Sequence, residues 1–228
     1  MAEENLRRYC VCVTKQKQDA NDKAALLNEA RWNIGDVIRV RFIEGDQSLK
    51  NRVRAVAERW TAPGMANLKF QWVDTGPAEI RIAFQQGNGS WSYLGTHCRA
   101  IPEPQPTMNY GWLTPASSDD ELRSVVLHEF GHALGLIHQH QSPQGGIKWN
   151  EPAVFADLSG PPNNWDVATI RSNVLDHYSA NQVTASPVDR LSIMMNPIPR
   201  AWTLDGFSAG MNNDLSQDDI RVIKLYYP

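Results

Sequence analysis

The sequence contains the stretch His128-Glu129-Phe130-Gly131-His132-Ala133-Leu134-Gly135-Leu136-Ile137-His138, which matches H-E-x-x-H-x-x-G-x-x-H. Histidines four residues apart leave the same face of a helix, so His128 and His132 can hold one metal ion. Glu129 follows the first histidine and can reach a metal-bound water without binding the metal. Gly135 can end the helix in a left-handed conformation, which lets His138 return as a third ligand.

Three histidine ligands predict a catalytic zinc site. They leave the fourth position of a tetrahedral zinc open for water, whereas structural sites are closed by a fourth protein ligand. Average residue usage gives a chance match on the order of 10⁻⁵ for a chain of this length. The alternative is a helix with solvated or core histidines, but it does not explain why four of the six histidines fall within residues 128–140. The sequence therefore predicts one Zn²⁺ ion.

A second stretch carries a family resemblance. The zinc motif resembles that of the metzincin zinc endopeptidases, and Ser192-Ile193-Met194-Met195-Asn196-Pro197 resembles their methionine turn in its astacin-like form. The resemblance implies that Met194 is an apolar floor under the histidines. The alternative is that Met194 and Met195 are ordinary core residues. The resemblance to astacin-like members covers about residue 36 to the C-terminus.

The resemblance implies an α+β fold, a metzincin-like zincin with a twisted mixed sheet, an active-site helix and an irregular C-terminal subdomain. We expect an N-terminal segment, residues 1–35, that is either a pro-segment or adds a strand. Residues 36–228 form the catalytic domain, divided by a cleft near residues 135–138. Apolar periodicity, capping residues and turn residues predict strands near 9–14, 37–43, 68–73, 79–84, 91–95 and 108–113, and helices near 49–60, 118–137, 165–178 and from 216.

The implied reaction is hydrolysis of protein or peptide substrates by metal-activated water. Glu129 takes the water proton and passes it to the leaving amine. Ser90-Trp91-Ser92-Tyr93-Leu94-Gly95 resembles the edge strand at the top of the family's cleft, where an extended peptide can add as a further strand. A plain sheet strand is the alternative for this segment.

The sequence departs from the astacin pattern at two positions. Gln139 stands where the family has a glutamate that ties down the mature N-terminus, so activation by trimming to a buried amino group is in doubt. Asn196 stands where a tyrosine helps to stabilise the transition state. An asparagine amide can donate one hydrogen bond but is a poor zinc ligand, so we expect a working but slower centre.

Three cysteines, Cys10, Cys12 and Cys98, are too few for a disulfide scaffold. Some metzincins are silenced by a pro-segment cysteine that takes the open zinc position. Cys10 and Cys12 are therefore candidates for a latency thiol. The alternatives are that both are ordinary strand residues or that one of them pairs with Cys98.

Composition excludes several classes of protein. A net charge of −3 provides no broad basic field, so we expect no nucleic-acid partner. No apolar run approaches the roughly 18 residues of a membrane helix, so we expect no membrane insertion, and we expect a monomer. The first residues do not have the pattern of a secretory signal. Since the family resemblance implies work outside the cell, we expect secretion or delivery by a non-classical route.

Three other functions are compatible with parts of the pattern. A zinc enzyme acting on non-peptide amides or esters is disfavoured by the third histidine and the methionine turn. A zinc-bearing binding module that has lost activity is disfavoured by the presence of Glu129. The replacement of the family's tyrosine by Asn196 is compatible with such a module. An effector or toxin protease delivered into other cells fits the missing signal.

Overall fold

The computed structural model describes residues 9–13, 30–161, 163–178 and 187–228. Six strands within these ranges form one sheet in the order β1-β5-β6-β4-β2-β3. All neighbouring strands are parallel except β5 and β6, which are antiparallel. The strands are β1 (Cys10–Val13), β2 (Val37–Phe42), β3 (Lys69–Trp72), β4 (Ile80–Ala83), β5 (Ser90–Tyr93) and β6 (Met108–Tyr110). This mixed sheet confirms the predicted fold class.

Within the described ranges, α-helices lie both between the strands and after them. They are α1 (Gln47–Ala57), α2 (Asp119–Ala133), α3 (Glu151–Ser159), α4 (Val167–Ile170) and α5 (Gln217–Tyr226). Short 3₁₀ segments lie at Glu58–Thr61, Gly95–Ala100, Gln139–Gln141 and Arg200–Trp202, and a π-helical turn, Arg171–Leu175, follows α4 directly. No helix in the described ranges is long and apolar enough to cross a bilayer.

Helix α2 carries the first part of the zinc motif, up to Ala133. Backbone groups at both of its ends are hydrogen-bonded by side chains. Ser118 is the N-cap and accepts a hydrogen bond from the Glu121 N–H at 3.2 Å. At the other end the Trp32 indole donates to the Ala133 carbonyl at 2.8 Å, and the Tyr227 hydroxyl donates to the Leu134 carbonyl at 2.7 Å. These side chains supply donors for the last carbonyl groups, which have no partner inside the helix.

The helix ends at Ala133, four residues earlier than the sequence predicts. Gly135 adopts φ +92°, a conformation that glycine tolerates best. The Leu136 N–H then donates to the Gly131 carbonyl and the Gly135 N–H to the His132 carbonyl, the two bonds of a Schellman cap. The chain therefore turns back before His138.

The described residues form two main apolar cores. The larger core lies between the sheet, α1 and α2 and contains Ile38, Trp60 and Phe130. The Trp60 indole donates to the Leu127 carbonyl at 3.0 Å and fixes the end of α1 against α2. The smaller core contains Trp202 and joins α3, α4 and the π-helical turn. Burial of each large apolar side chain contributes about 1.5–3 kcal/mol.

Several sequence predictions missed a boundary or an element. The strand predicted at 91–95 ends at Tyr93, because Gly95 turns with φ +46° and a Cβ there would meet the Ala30 carbonyl. The helix predicted at 165–178 is two short elements, α4 and the π-helical turn. Helix α3 was not predicted, since Pro152 in its first turn reads as a break in a loop-rich region.

Candidate zinc centre

The three histidines of the motif meet at one point. His128, His132 and His138 each offer a ring nitrogen, and the three atoms lie within 4.8 Å of one another. The Nε2 atoms of His132 and His138 are 3.1 Å apart. Zinc–nitrogen bonds of 2.0–2.1 Å in a tetrahedron separate two ligand atoms by roughly 3.3 Å. The spacing therefore fits a single zinc ion.

The outer nitrogen of each ring faces an oxygen. Nδ1 of His128 lies 2.8 Å from the Ile193 carbonyl, and Nδ1 of His132 lies 2.8 Å from the Leu136 carbonyl. A carbonyl only accepts, so each Nδ1 carries the proton and each Nε2 keeps its lone pair for a metal. The Nε2 of His128 is buried and has no hydrogen-bond partner among the described residues. A zinc ion would satisfy this orphaned atom.

Burial keeps the ligands neutral. It lowers the pKa of His128 to about 4. Burial also lowers the pKa values of His132 and His138 well below the ordinary value, with a further contribution from neighbouring histidines. Neutral imidazoles can bind a cation at pH 7 without first releasing a proton.

Glu129 lies beside this cluster in the interior and is fully buried. Burial raises the pKa of its carboxyl well above the ordinary value, while the nearby Cys10 thiol acts in the opposite direction. A carboxyl group whose pKa is raised can exchange protons closer to neutral pH. The structure thus places the acid of the motif next to the ligands but outside the ligand set.

The methionine turn lies under the histidines. A Cβ added to Gly131 would run into the Met194 sulfur, so a larger residue at this position requires the methionine side chain to move. The Gln139 N–H donates to the Met194 carbonyl at 2.9 Å and joins the turn to the third ligand's loop. Met194 and its neighbour Met195 are both buried, in different cores.

A carboxylate holds this turn in place. Asp219 of α5 accepts hydrogen bonds from the Ser192 hydroxyl at 2.6 Å and from the Ile193 N–H at 2.8 Å. Burial raises the pKa of Asp219, and these hydrogen bonds lower it. Asp219 also forms a capping box with Ser216 at the start of α5. The sequence did not predict that Asp219 also binds the methionine turn, because Asp219 and Ile193 are 26 residues apart and such a spacing has no local signature.

Asn196 reaches the same centre. Its Nδ2 lies 3.4 Å from Nε2 of His138 and 3.5 Å from the Cys10 carbonyl. The side chain is buried. The side chain at the position of the astacin tyrosine therefore also points at the metal site here, although the asparagine is shorter than a tyrosine.

Strand β5, the segment predicted to bind substrate, is paired on both sides. β6 lies on one side and β1 on the other, with Cys10 opposite Ser90 and Val13 opposite Tyr93. The Leu94 N–H extends this ladder by donating to the Val13 carbonyl at 3.1 Å. Within the described ranges, the edge expected to receive a peptide is taken by the chain's own N-terminal strand.

The three cysteines are free thiols, so the alternative in which one of them pairs with Cys98 is wrong. Cys10 lines a small pocket together with His128 and Asn196. Cys12 packs instead in the small cluster that contains Leu94. Burial and the charge of Glu129 raise the pKa values of both thiols.

His140 and Gln141 follow the third ligand in sequence, and both contact it from the interior. His140 is buried, and its ring stacks on His138 with centroids 5.1 Å apart. Gln141 is also buried, and its Oε1 lies 3.3 Å from Nδ1 of His138. Burial is predicted from the spacing of apolar residues, and two consecutive polar residues have no such spacing. The sequence pattern therefore did not predict that these two side chains are buried.

Solved structures decide the family. A structure of myroilysin is 40% identical to this chain with a TM-score of 0.85, and the match covers 89% of this chain and 97% of that one. The chain belongs to the astacin-like metzincin zinc metalloproteases. A crystal structure of myroilysin gives 38% identity and a TM-score of 0.70, over 96% of this chain and 90% of that one. No protein-family model matches the chain.

More distant matches agree with this placement. High choriolytic enzyme 1, a hatching enzyme zinc-protease from Oryzias latipes (medaka fish), shares the fold at a TM-score of 0.52 and 16% identity, over 87% of this chain and 95% of that one. Zinc metalloproteinase nas-30 from Caenorhabditis elegans is 28% identical over 113 residues, half of this chain. The match spans only 13% of that relative's length. Family membership and the three histidines confirm the predicted zinc ion.

Proposed function

We propose that this metalloprotease is an endopeptidase, which hydrolyses internal peptide bonds of proteins. The observation that carries the proposal is the placement of Glu129, a fully buried carboxyl beside three neutral histidines whose lone pairs converge. A purely structural zinc site has no use for a buried acid outside the ligand set, since burying an unpaired charge is costly. A proton-transfer site needs one.

The chemistry divides between the metal and the chain. Zinc, when bound, lowers the pKa of a water molecule to about 7 and polarises the carbonyl of the scissile bond. Glu129 then takes the proton from the attacking water and delivers it to the leaving amine. The buried surroundings that raise its pKa stabilise the protonated form between these two steps. His128, His132 and His138 hold the metal and exchange no proton.

The substrate would lie along Ser90–Gly95. An extended peptide that pairs with β5 is held through its main chain, which every internal segment of a protein can offer. No free amino or carboxyl terminus is needed for such pairing, and this favours cleavage inside a chain. The loop at residues 197–207, which follows the methionine turn, would shape the pocket beyond the scissile bond. We further propose that the enzyme acts outside the cell that makes it, as the family resemblance implies.

In the described conformation this enzyme would be latent. β1 occupies the strand position that the substrate requires, and Cys10 lines the small pocket that contains His128. Thiolates are good zinc ligands, so the same side chain is suited to take the open metal position. We therefore propose that residues 1–35 act as a pro-segment and that Cys10, not Cys12, is the latency thiol.

Metal removal tests the proposed reaction. The full chain and its Cys10→Ala variant are incubated with an internally quenched peptide library, and products are identified by mass spectrometry. We expect cuts between internal residues, loss of cleavage in a zinc chelator and recovery when Zn²⁺ is returned. Cleavage that persists after zinc is shown to be absent would contradict the proposal, and so would release of terminal residues alone.

Asn196 should set the rate of this reaction. Loss of one transition-state donor typically costs about 10²–10³ in rate, and the asparagine amide is shorter than the tyrosine it replaces. We expect Asn196→Tyr, made in the Cys10→Ala background, to raise kcat by up to about 10²-fold with zinc content unchanged. Asn51→Tyr on the exposed face of α1 is the matched control. Unchanged kcat in Asn196→Tyr would show that this position does not matter.

A further inference from the structure

We propose that Gln141 is a positioning residue for the third zinc ligand. Its side-chain oxygen fixes the proton of His138 on Nδ1 and so presents Nε2 to the metal. The inference rests on the zinc site alone and does not depend on the proposed reaction.

The orientation of the Gln141 amide is settled by its partners. Its Nε2 donates to the Ser172 carbonyl at 2.8 Å and to the Asp176 carbonyl at 3.0 Å. Only the NH₂ end of an amide can serve two carbonyl groups. The oxygen must therefore be the atom that faces Nδ1 of His138, at 3.3 Å. The side chain is only 2% exposed, so solvent does not compete for these bonds.

The tautomer of His138 follows from this orientation. An amide oxygen only accepts, so Nδ1 must donate, and a neutral imidazole then has its lone pair on Nε2. The surroundings of Nε2 agree, because the Nδ2 donor of Asn196 faces it at 3.4 Å. Metal-binding histidines commonly use the second nitrogen in this way, which fixes the ring and strengthens the ligand.

His138 needs such support more than the other ligands do. His128 and His132 are held on α2, and their Nδ1 atoms meet backbone carbonyls. His138 lies beyond the end of the helix, in the loop that Gly135 opens. Its orientation therefore depends on a side chain from its own loop.

Gln141 in turn is fastened to the π-helical turn and the residues after it. The Tyr178 N–H donates to the Gln141 carbonyl at 3.0 Å, in addition to the two bonds that the amide donates. The neighbouring His140 adds a contact, with Nε2 lying 3.0 Å from the Asn173 carbonyl. π-Helical turns are rare and occur frequently at functional sites. Here the turn anchors the residue that orients the third ligand.

Two variants distinguish a residue that orients His138 from one that only stabilises the fold. Gln141→Glu keeps an oxygen for His138 but loses both donors to the carbonyl groups. Gln141→Met keeps the length of the side chain and loses the acceptor as well. Gln144→Met, at an exposed position of the next loop, is the control. Zinc affinity of the full chain is measured by competition with a fluorescent chelator, and melting of the zinc-free chain reports stability.

We expect Gln141→Met to weaken zinc binding about 10- to 100-fold and Gln141→Glu to keep the affinity at or above that of the unmodified chain. Melting temperatures of the zinc-free variants should fall together, because both lose the same donors. Nitrogen-15 spectra of the unmodified zinc-free chain should show His138 protonated on Nδ1. Equal loss of zinc affinity in both variants, unchanged affinity in Gln141→Met, or protonation of Nε2 would each overturn the inference. No substrate is present in these measurements, so their outcome is separate from that of the peptidase test.

Discussion

Replacement of Glu129 by glutamine is expected to lower kcat for peptide cleavage by about 10²–10⁴-fold, the range typical of a lost general acid–base. Glutamine has nearly the same shape as the glutamate but cannot take a proton from water. The three histidines that hold zinc are untouched, so zinc content should stay at one ion per chain. KM should change little, because a buried carboxyl that acts on the water adds no uniform binding of the peptide.

The control for this variant lies on the same helix. Glu121 is in the first turn of α2, two turns before the motif, and Glu121→Gln removes the same charge without touching the centre. Its kcat should equal that of the parent. Both variants are made with Cys10→Ala, so that latency does not mask the rates. Activity of Glu129→Gln within about tenfold of the parent, at full zinc occupancy, would remove Glu129 from the proposed mechanism.

The parts of the centre that sequence could predict are those with a local signature. The i, i+4 spacing of His128 and His132 requires only a helix, and Ser118 supplies its cap three residues before the Glu121 N–H. Gly135 marks the turn that brings back His138. Each of these inferences depends on residues within one or two turns of each other, where helix geometry fixes distances.

The supports of the centre could not be predicted in this way. Asp219 holds Ile193 across 26 residues, and Ile193 in turn accepts from His128 across 65. Such contacts depend on how α5 and the methionine turn dock in the folded chain. Gln141 is nearer, but the two carbonyl groups that orient its amide come from the π-helical turn and from the residue directly after it, 31 and 35 residues later. No periodicity encodes that turn.

The choice between the two N-terminal cysteines shows the same limit. Cys10 and Cys12 are two residues apart and therefore leave the same face of a strand. Their sequence context does not distinguish them. The register on β5 does, because it places Cys10 opposite Ser90 and beside the pocket lined by His128, while Cys12 packs near Leu94. A shift of two residues would exchange their roles.

That register leads to the second large effect. Cys10→Ala in the full chain is expected to raise peptidase activity by about 10- to 100-fold. The variant removes the buried thiol that lines the pocket of His128, and each loss of about 1.4 kcal/mol from the interactions that hold the segment corresponds to tenfold. Any zinc–sulfur bond that holds the segment is lost too. Cys12→Ala, the matched control, should leave activity unchanged, because Cys12 packs near Leu94 and does not line the pocket that contains His128.

Removal of residues 1–29 should activate the enzyme further than Cys10→Ala, because the alanine variant still has β1 on the edge of β5. The cut leaves Trp32 in place, since its indole donates to the Ala133 carbonyl at the end of α2. The order of activities is then full chain, Cys10→Ala, and shortened chain. X-ray absorption of the zinc-loaded full chain adds a direct measurement, since a bound thiolate gives a zinc–sulfur distance near 2.3 Å. Equal activation by Cys10→Ala and Cys12→Ala would mean that the strand alone blocks the cleft. Full activity of the unmodified chain would mean that β1 yields to substrate without cleavage, and the segment would then be no barrier at all.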